Sequence, residues 1–390
     1  MKRCGYCGRE NDDAQMACYE CGTEFPKSPP QTDPSSATLE LPQPAIIREA
    51  ALLELVNIQG ALDFFEGFSR PEWKVIAQAI ESQTDSEEWS RAWNEIVEQW
   101  CSILATELGG EYRTNISKHV VLINCLPPEI AARMINFAEG AVAQIRDFLG
   151  PISWGAHHGK QVILIFAERD DYYQYVSYYY SEGTHPTSAG VHLHGGYPHV
   201  ALWYDNELRA VQTIAHELTH HCLGHLPIPL WLNEGVAQML PKVVSQPYVP
   251  AAHHGSSQAY WGLVSGWSPP VVWAEIAERH HQFWTEERIQ GFWAGTSFQE
   301  AGESVELSYN LAEIMMHFLT KNREDFLNFL NRADRADGGQ TAALDSLGIC
   351  LGETVGTFLG PGDWRPKRKA IKNCWEVWKE KHKSSHDREN

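Results

Sequence analysis

The hydrophobic and polar positions of the chain change period several times, and each change marks an element. From Ile46 to about Leu108 the apolar spacing is helical. Ile46, Leu52, Leu53, Val56 and Ile58 lead into Leu62, Phe64, Phe65 and Phe68. Arg70-Pro71-Glu72-Trp73 then reads as a helix start, followed by Trp89, Trp93, Ile96, Val97 and Trp100 on one face. Residues 46–109 are therefore expected to be a helical region with buried tryptophans.

The texture changes at Gly109-Gly110. His119–Asn124 is a short apolar run that predicts a strand. A helix is predicted over Pro128–Leu149, with Met134, Ile135, Ala138, Val142, Ile145 and Phe148 on one face. The β-branched run Val162–Phe166 predicts a second strand. Asp170–Tyr180 reads as a tyrosine-rich helix whose rings pack, Gly183–Gly196 as a loop, and His199–Tyr204 as a third strand. Helices follow over Glu207–Gly224 and Pro229–Leu240, and further ones near Val271–His280, Ser304–Lys321, Glu324–Arg332 and Trp364–Lys383. Strands alternating with helices imply an α+β core of roughly 200 residues.

Composition narrows the class. A chain of 390 residues, 43% hydrophobic, has ample material for a sizeable core. Its formal net charge of −19 argues against a surface that tracks nucleic acid or anionic lipid. The basic final segment, with Trp375 and Trp378, reads as a solvated helix face packing two tryptophans. No apolar run approaches the roughly 18 residues of a membrane span. The start, Met-Lys-Arg-Cys-Gly-Tyr-Cys, lacks the apolar stretch of a secretory signal. Of nine cysteines, only the first four form close pairs, which suits metal ligands and reduced thiols better than a disulfide framework. A cytoplasmic protein is expected.

Those four are Cys4 and Cys7, and Cys18 and Cys21, in a C-x2-C-x10-C-x2-C arrangement with Gly8 and Gly22 trailing, each pair read as one tight turn. Each pair aims two sulfurs at one ion, and four thiolates close a tetrahedron that holds structure and does no catalysis. The segment resembles a zinc ribbon, which implies a structural zinc over residues 1–25 and a surface for a protein partner. Pro26–Pro44, rich in Pro, Ser, Thr and Gln, reads as a linker over residues 26–45.

The chemistry concentrates further on. His216, Glu217 and His220 form an H-E-x-x-H box inside an amphipathic helix, and Glu234 follows in Trp-Leu-Asn-Glu-Gly. Positions i and i+4 share a helix face, so both imidazoles can meet one ion. The break at Pro227-Ile-Pro229 reverses the chain and returns Glu234 towards them. Three ligands leave zinc a position for water, whose pKa falls towards about 7, and Glu217 stands beside the first ligand as general base. A metzincin site needs Gly and His where this chain has Leu223 and Leu226. His221 and His225 are accordingly expected to be surface residues or supports of the ligands.

A box followed by Asn-Glu-Gly resembles the gluzincins, and most of all the peptidase-MA-like group. The likeness extends in order over His119–Asn124, the helix after it, Val162–Phe166, the tyrosine-rich helix and His199–Tyr204. It implies a zincin-like metallopeptidase core with a mixed sheet and an active-site helix over residues 110–335, and a C-terminal helical extension over 336–390. It also implies that His216, His220 and Glu234 bind a catalytic zinc, that Glu217 is the base, and that 199–204 is an edge strand to which an extended peptide adds. Thermolysin-like members carry an acidic residue where this chain has Gln238, so a carboxylate partner for either histidine is sought at Asp205 or Glu313. Tyr309, at a helix start, resembles a transition-state donor, with His253 and His254 as weaker candidates. The function expected is hydrolysis of peptide bonds in polypeptide substrates; the alternative is an inactive or non-peptide-hydrolysing, zinc-stabilised scaffold acting through its ribbon.

Overall fold

The computed structural model describes residues 2–3, 10–11, 62–65, 68–81, 86–155, 159–179, 189–194, 196–244, 273–300 and 302–382. The proposed ribbon ligands Cys4, Cys7, Cys18 and Cys21 lie outside the described residues, as do the linker and His253 and His254. Near the start, β1 (Lys2–Arg3) and β2 (Glu10–Asn11) pair antiparallel.

The chain divides into two compact units, one formed by residues 1–140 and 156–210, the other by 141–155 and 211–390. In the first, β3 (Leu62–Phe65) and β4 (Phe68–Pro71) form an antiparallel hairpin. Helical spacing misreads this stretch. Phe65 lies opposite Phe68 and Leu62 opposite Pro71, so pairing between the strands, not a helical stripe, makes these elements. Helices α1 (Trp73–Glu81) and α2 (Ser86–Leu108) follow.

A five-stranded mixed sheet comes next: β5 (Arg113–Ile116), β6 (Val120–Asn124), β7 (Gln161–Phe166), β8 (Gly190–Leu193) and β9 (His199–Trp203), in the spatial order β5-β6-β7-β9-β8. Strands β6, β7 and β9 are parallel, while β5 and β8 run antiparallel at the two edges. Two helices connect the parallel strands, α3 (Pro128–Leu149) and α4 (Arg169–Ser177). The architecture is α+β, as the alternation predicts.

The sheet corrects one expectation. β9 is paired on both sides, with Ile163 opposite Val200 and Val191 opposite Ala201, so it is no edge. The edge belongs to β8, inside the stretch expected to be a loop. Among the described residues β8, like β5 at the opposite edge, has one side without a strand partner, the kind of edge an added peptide strand uses.

Alternation along the central strands explains the core. Val121, Ile123, Val162, Leu164, Phe166, Val191, Leu193 and Ala201 point to one face. There they meet Ile76, Ile80, Ile96, Val97, Trp100 and Leu104 from α1 and α2, and Tyr172, Tyr175 and Val176 from α4. The tyrosines pack, as expected: Tyr175 and Phe166 have ring centroids 5.4 Å apart, and both Tyr172 and Tyr175 are buried. The Tyr175 hydroxyl bonds His199 Nε2 at 2.8 Å, and the other ring nitrogen, Nδ1, donates to the Tyr197 carbonyl at 2.8 Å.

The second unit is helical: α5 (Glu207–Leu223), which begins at the boundary, then α6 (Leu230–Val244), α7 (Trp273–Phe283), α8 (Ile289–Ala294), α9 (Glu303–Leu319), α10 (Arg323–Arg332), α11 (Gln340–Leu347), α12 (Leu351–Leu359) and α13 (Arg368–His382). Its core gathers aromatic rings. Trp231 meets Trp293 edge-on at 5.4 Å, and the Trp293 indole donates to the Trp364 carbonyl at 2.9 Å. Trp375 and Trp378 pack edge-to-face on α13 at 5.6 Å. Neighbouring cations are partly neutralised, because Arg365 and Lys367 pair with Asp363 and Arg368 with Asp337. Among the described residues, no single helix is long and apolar enough to cross a membrane.

Candidate metal centre

The site begins with a helix cap. The Asn206 side chain accepts from the Arg209 amide at 3.0 Å, which starts α5 where the sequence predicts it. Val211, Ile214, Ala215, Leu218, Cys222 and Leu223 bury one side of this helix. His216 and His220, one turn apart, then emerge together, with their Nε2 atoms 3.0 Å from each other.

α6 brings the third donor. The amides of Leu232 and Asn233 bond the Pro229 carbonyl at 3.0 and 3.1 Å, so the helix starts directly after the proline break. Four residues into α6, Glu234 places Oε2 3.3 Å from His220 Nε2 and 3.6 Å from His216 Nε2. Among the described residues, this is the one group of three or more His, Cys, Asp or Glu side chains whose donor atoms converge, all within 4.8 Å.

The spacing fits an ion. Bonds of about 2.0–2.1 Å in a tetrahedral zinc site hold ligand atoms about 3.3–3.4 Å apart. Hydrogen bonding alone accounts for the cluster poorly. Two Nε2 atoms facing each other can share only one proton, so hydrogen bonding among themselves leaves the three inward-facing donor atoms incompletely satisfied. Two imidazoles and a carboxylate are a borderline donor set suited to zinc.

No protein-family model, curated protein or solved structure matches the chain. The chemistry of the centre therefore rests on its own donors.

Their electrostatics agree with the geometry. Burial penalises the charged forms of both Glu234 and His220, yet their pairing outweighs it. The Glu234 carboxyl is drawn down to about 2 by the His220 charge and by hydrogen bonding from both histidines. His220 is pushed up to about 9 by the Glu234 charge and hydrogen bond, the Glu217 charge and the Asn233 bond. The pairing favours a protonated His220 beside an ionised Glu234.

Each residue of Trp-Leu-Asn-Glu-Gly has a separate task. Trp231 is fully buried, and its indole donates to the Gly338 carbonyl at 3.1 Å. Leu232 packs in the core. Asn233 Oδ1 accepts from His220 Nδ1 at 2.7 Å, which fixes Nδ1 as a donor and turns Nε2 to the cluster. Glu234 is the third donor. Gly235 lets α9 approach: a Cβ there would stand 3.0 Å from both the Ala312 carbonyl oxygen and the Met316 methyl carbon.

That approach brings Tyr309 into play. Its ring meets Phe298 edge-on at 5.2 Å. Burial first, then the Glu234 and Glu217 charges, push its hydroxyl well above the ordinary tyrosine range, so it stays protonated. Glu217 itself is 7% exposed and lies near enough to act on both His220 and Tyr309. Glu217 and Tyr309 thus lie within electrostatic reach of the converging donors of His216, His220 and Glu234.

Neither expected carboxylate supports a ligand histidine. Asp205 pairs with Arg209 at 2.8 Å, and Glu313 pairs with Lys242. The support for His220 is the carboxamide of Asn233, a residue the sequence reading passed over although it adjoins Glu234. His221 is buried on α5 and His225 half-buried beyond it, and neither joins the converging donors.

Proposed function

We propose that the protein is a zinc-dependent peptidase of the gluzincin type, with a zincin-like core, acting on polypeptide substrates. The observation that carries this reading is the convergence of His216 Nε2, His220 Nε2 and Glu234 Oε2, with Glu217 next to His216 on α5 and its charge acting on His220. His216, His220 and Glu234 would hold the ion. A zinc ion so held supplies a Lewis acid for a carbonyl oxygen and lowers the pKa of a bound water towards about 7.

The remaining work falls to the chain. Glu217 accepts a proton as water attacks the scissile carbonyl, then passes it to the departing amine nitrogen. Its place next to His216 on α5 fixes its reach, and its low exposure keeps competing water away. Tyr309, held neutral, donates a hydrogen bond to the oxygen on which negative charge develops. Asn233 keeps His220 in the tautomer that can act as a ligand. A second, structural zinc on Cys4, Cys7, Cys18 and Cys21 belongs to the same proposal and rests on their spacing.

The decisive variant is Glu217→Gln. It should keep its zinc, measured by elemental analysis, while casein hydrolysis falls by roughly 10²–10⁴-fold. Hydrolysis at the wild-type rate would remove the base from the scheme. A zinc-loaded wild type inert against a broad peptide library would favour the scaffold reading.

A further inference from the structure

α7 offers two consecutive residues to one stripe of α9. Arg279 reaches Glu303 through Nε at 3.1 Å and clasps both oxygens of Glu306 at 2.7 and 2.8 Å. His280, with no exposed surface, reaches Asn310 Oδ1 through Nε2 at 2.9 Å. Glu303, Glu306 and Asn310 fall at i, i+3 and i+7, along a single side of α9.

The state of the His280 ring is fixed by its partners. An indole N–H can only donate, and Trp284 Nε1 donates to His280 Nδ1 at 2.8 Å. Nδ1 must then carry a lone pair, so Nε2 carries the hydrogen and donates to Asn310. Phe358 closes the site, its ring edge-on to the imidazole at 5.0 Å. Burial draws the His280 pKa down to about 4, which keeps the ring neutral and this pattern of bonds intact.

A buried polar pair adds little net stability compared with apolar side chains of the same size, but it admits one register only. A slip of one residue along α9 would move that helix by about 1.5 Å and turn it by about 100°. Tyr309 immediately precedes Asn310 and lies within electrostatic reach of Glu217 and Glu234, while Gly235, next to Glu234, packs against the same helix at Ala312 and Met316.

We infer that His280 is a positioning residue of the reaction: through Asn310 it sets the axial position and roll of α9, and so the place of the Tyr309 hydroxyl relative to the centre. The inference deepens the peptidase reading and rests on it for the role of Tyr309.

Two substitutions separate positioning from filling. His280→Phe preserves a ring but cannot donate to Asn310, whereas His280→Gln retains an amide donor and an acceptor. The Phe variant should lose about 10–100-fold in kcat with KM little changed. The Gln variant should stay near the wild type. In a Tyr309→Phe background the two should be equally active, because the group being positioned is gone. Equal activity in the wild-type background, or a loss that persists undiminished without the tyrosine hydroxyl, overturns the inference.

A readout without turnover separates this result from the fate of the peptidase reading. With fluorotyrosine in place of Tyr309, the His280→Phe protein should show a displaced or split fluorine resonance. The His280→Gln protein should match the unsubstituted protein. An unmoved resonance rejects the positioning role whatever the activity. A displaced resonance in a protein that hydrolyses nothing supports the positioning and condemns the peptidase reading alone.

Discussion

Asn233 decides which nitrogen of His220 is available to an ion. Its carbonyl oxygen takes the Nδ1 hydrogen at 2.7 Å, so that Nε2 is the nitrogen turned to the other donors and the one an ion would take once its proton is displaced. Removing that acceptor frees the ring to turn or change tautomer. Asn233→Ala should therefore weaken zinc binding at this centre by about 10–100-fold, read by competition with a chelator on a protein whose Glu217 is intact. Unchanged affinity would mean that packing alone orients the imidazole. Much of the site was legible at this scale. His216, Glu217 and His220 are related by local helix geometry, and a proline break followed by a glutamate announces the third donor. Asn233 was not singled out, because its partner is set by how α6 returns to α5. Asp205 and Glu313 were sought as carboxylate partners by chemical type, but Arg209 and Lys242 hold them. A ligand's support depends on which side chains are already committed elsewhere, and spacing along the chain carries no record of that.

Between elements, α6 and α9 approach closely beside the centre. Gly235 permits it, since an added methyl group would meet a main-chain oxygen at 3.0 Å, and main chain yields less readily than the end of a flexible side chain. Gly235→Ala should lower stability by about 1–3 kcal/mol, measured by urea unfolding, and should also reduce activity by pushing Tyr309 outwards. Wild-type values of both would show that α9 relaxes freely. Element prediction succeeded where one physical signal dominated. The helix over Pro128–Leu149 has a continuous apolar stripe, and β6, β7 and β9 are nearly unbroken apolar runs, so their bounds agree within a residue or so. It failed where pairing makes the element. β5 reads Arg-Thr-Asn-Ile and β8 reads Gly-Val-His-Leu, four residues each, and neither has a pattern strong enough to declare a strand before its neighbour is known. The short helices α8, α11 and α12 escaped for the same reason: helices of six to nine residues gain their stability from the surfaces they join.

For the molecule as a whole, acid stability provides a test that needs no substrate. A chain of net charge −19 protonates many carboxylates as the pH falls, so the share of a single histidine must be taken by difference. His280 is well placed for this. Burial lowers its pKa from 6.5 to about 4, and the Arg279 and His281 charges add to the effect, while the Asn310 bond and the Glu303 charge oppose it. The unfolded chain therefore binds a proton at this residue from pH 6.5 downwards, and the folded chain does so only near pH 4. Between those values the unfolded state holds more protons, and stability rises with pH. The contribution is complete above pH 6.5 and is lost on acidification, by about 1.4 kcal/mol per pH unit within the window and about 3 kcal/mol across it. Glutamine at this position does not titrate. The unfolding free energy of His280→Gln should accordingly fall less steeply than that of the wild type between pH 6.5 and 4, with parallel curves above pH 7. Protonation in the folded state would also cost the Trp284 hydrogen bond, because Nδ1 could no longer accept. The acid arm should therefore coincide with a change in indole fluorescence that Trp284→Phe abolishes. Parallel curves through the whole range would mean that the ring is solvated or already charged, and the fixed tautomer on which the α7–α9 contact depends would be lost with it.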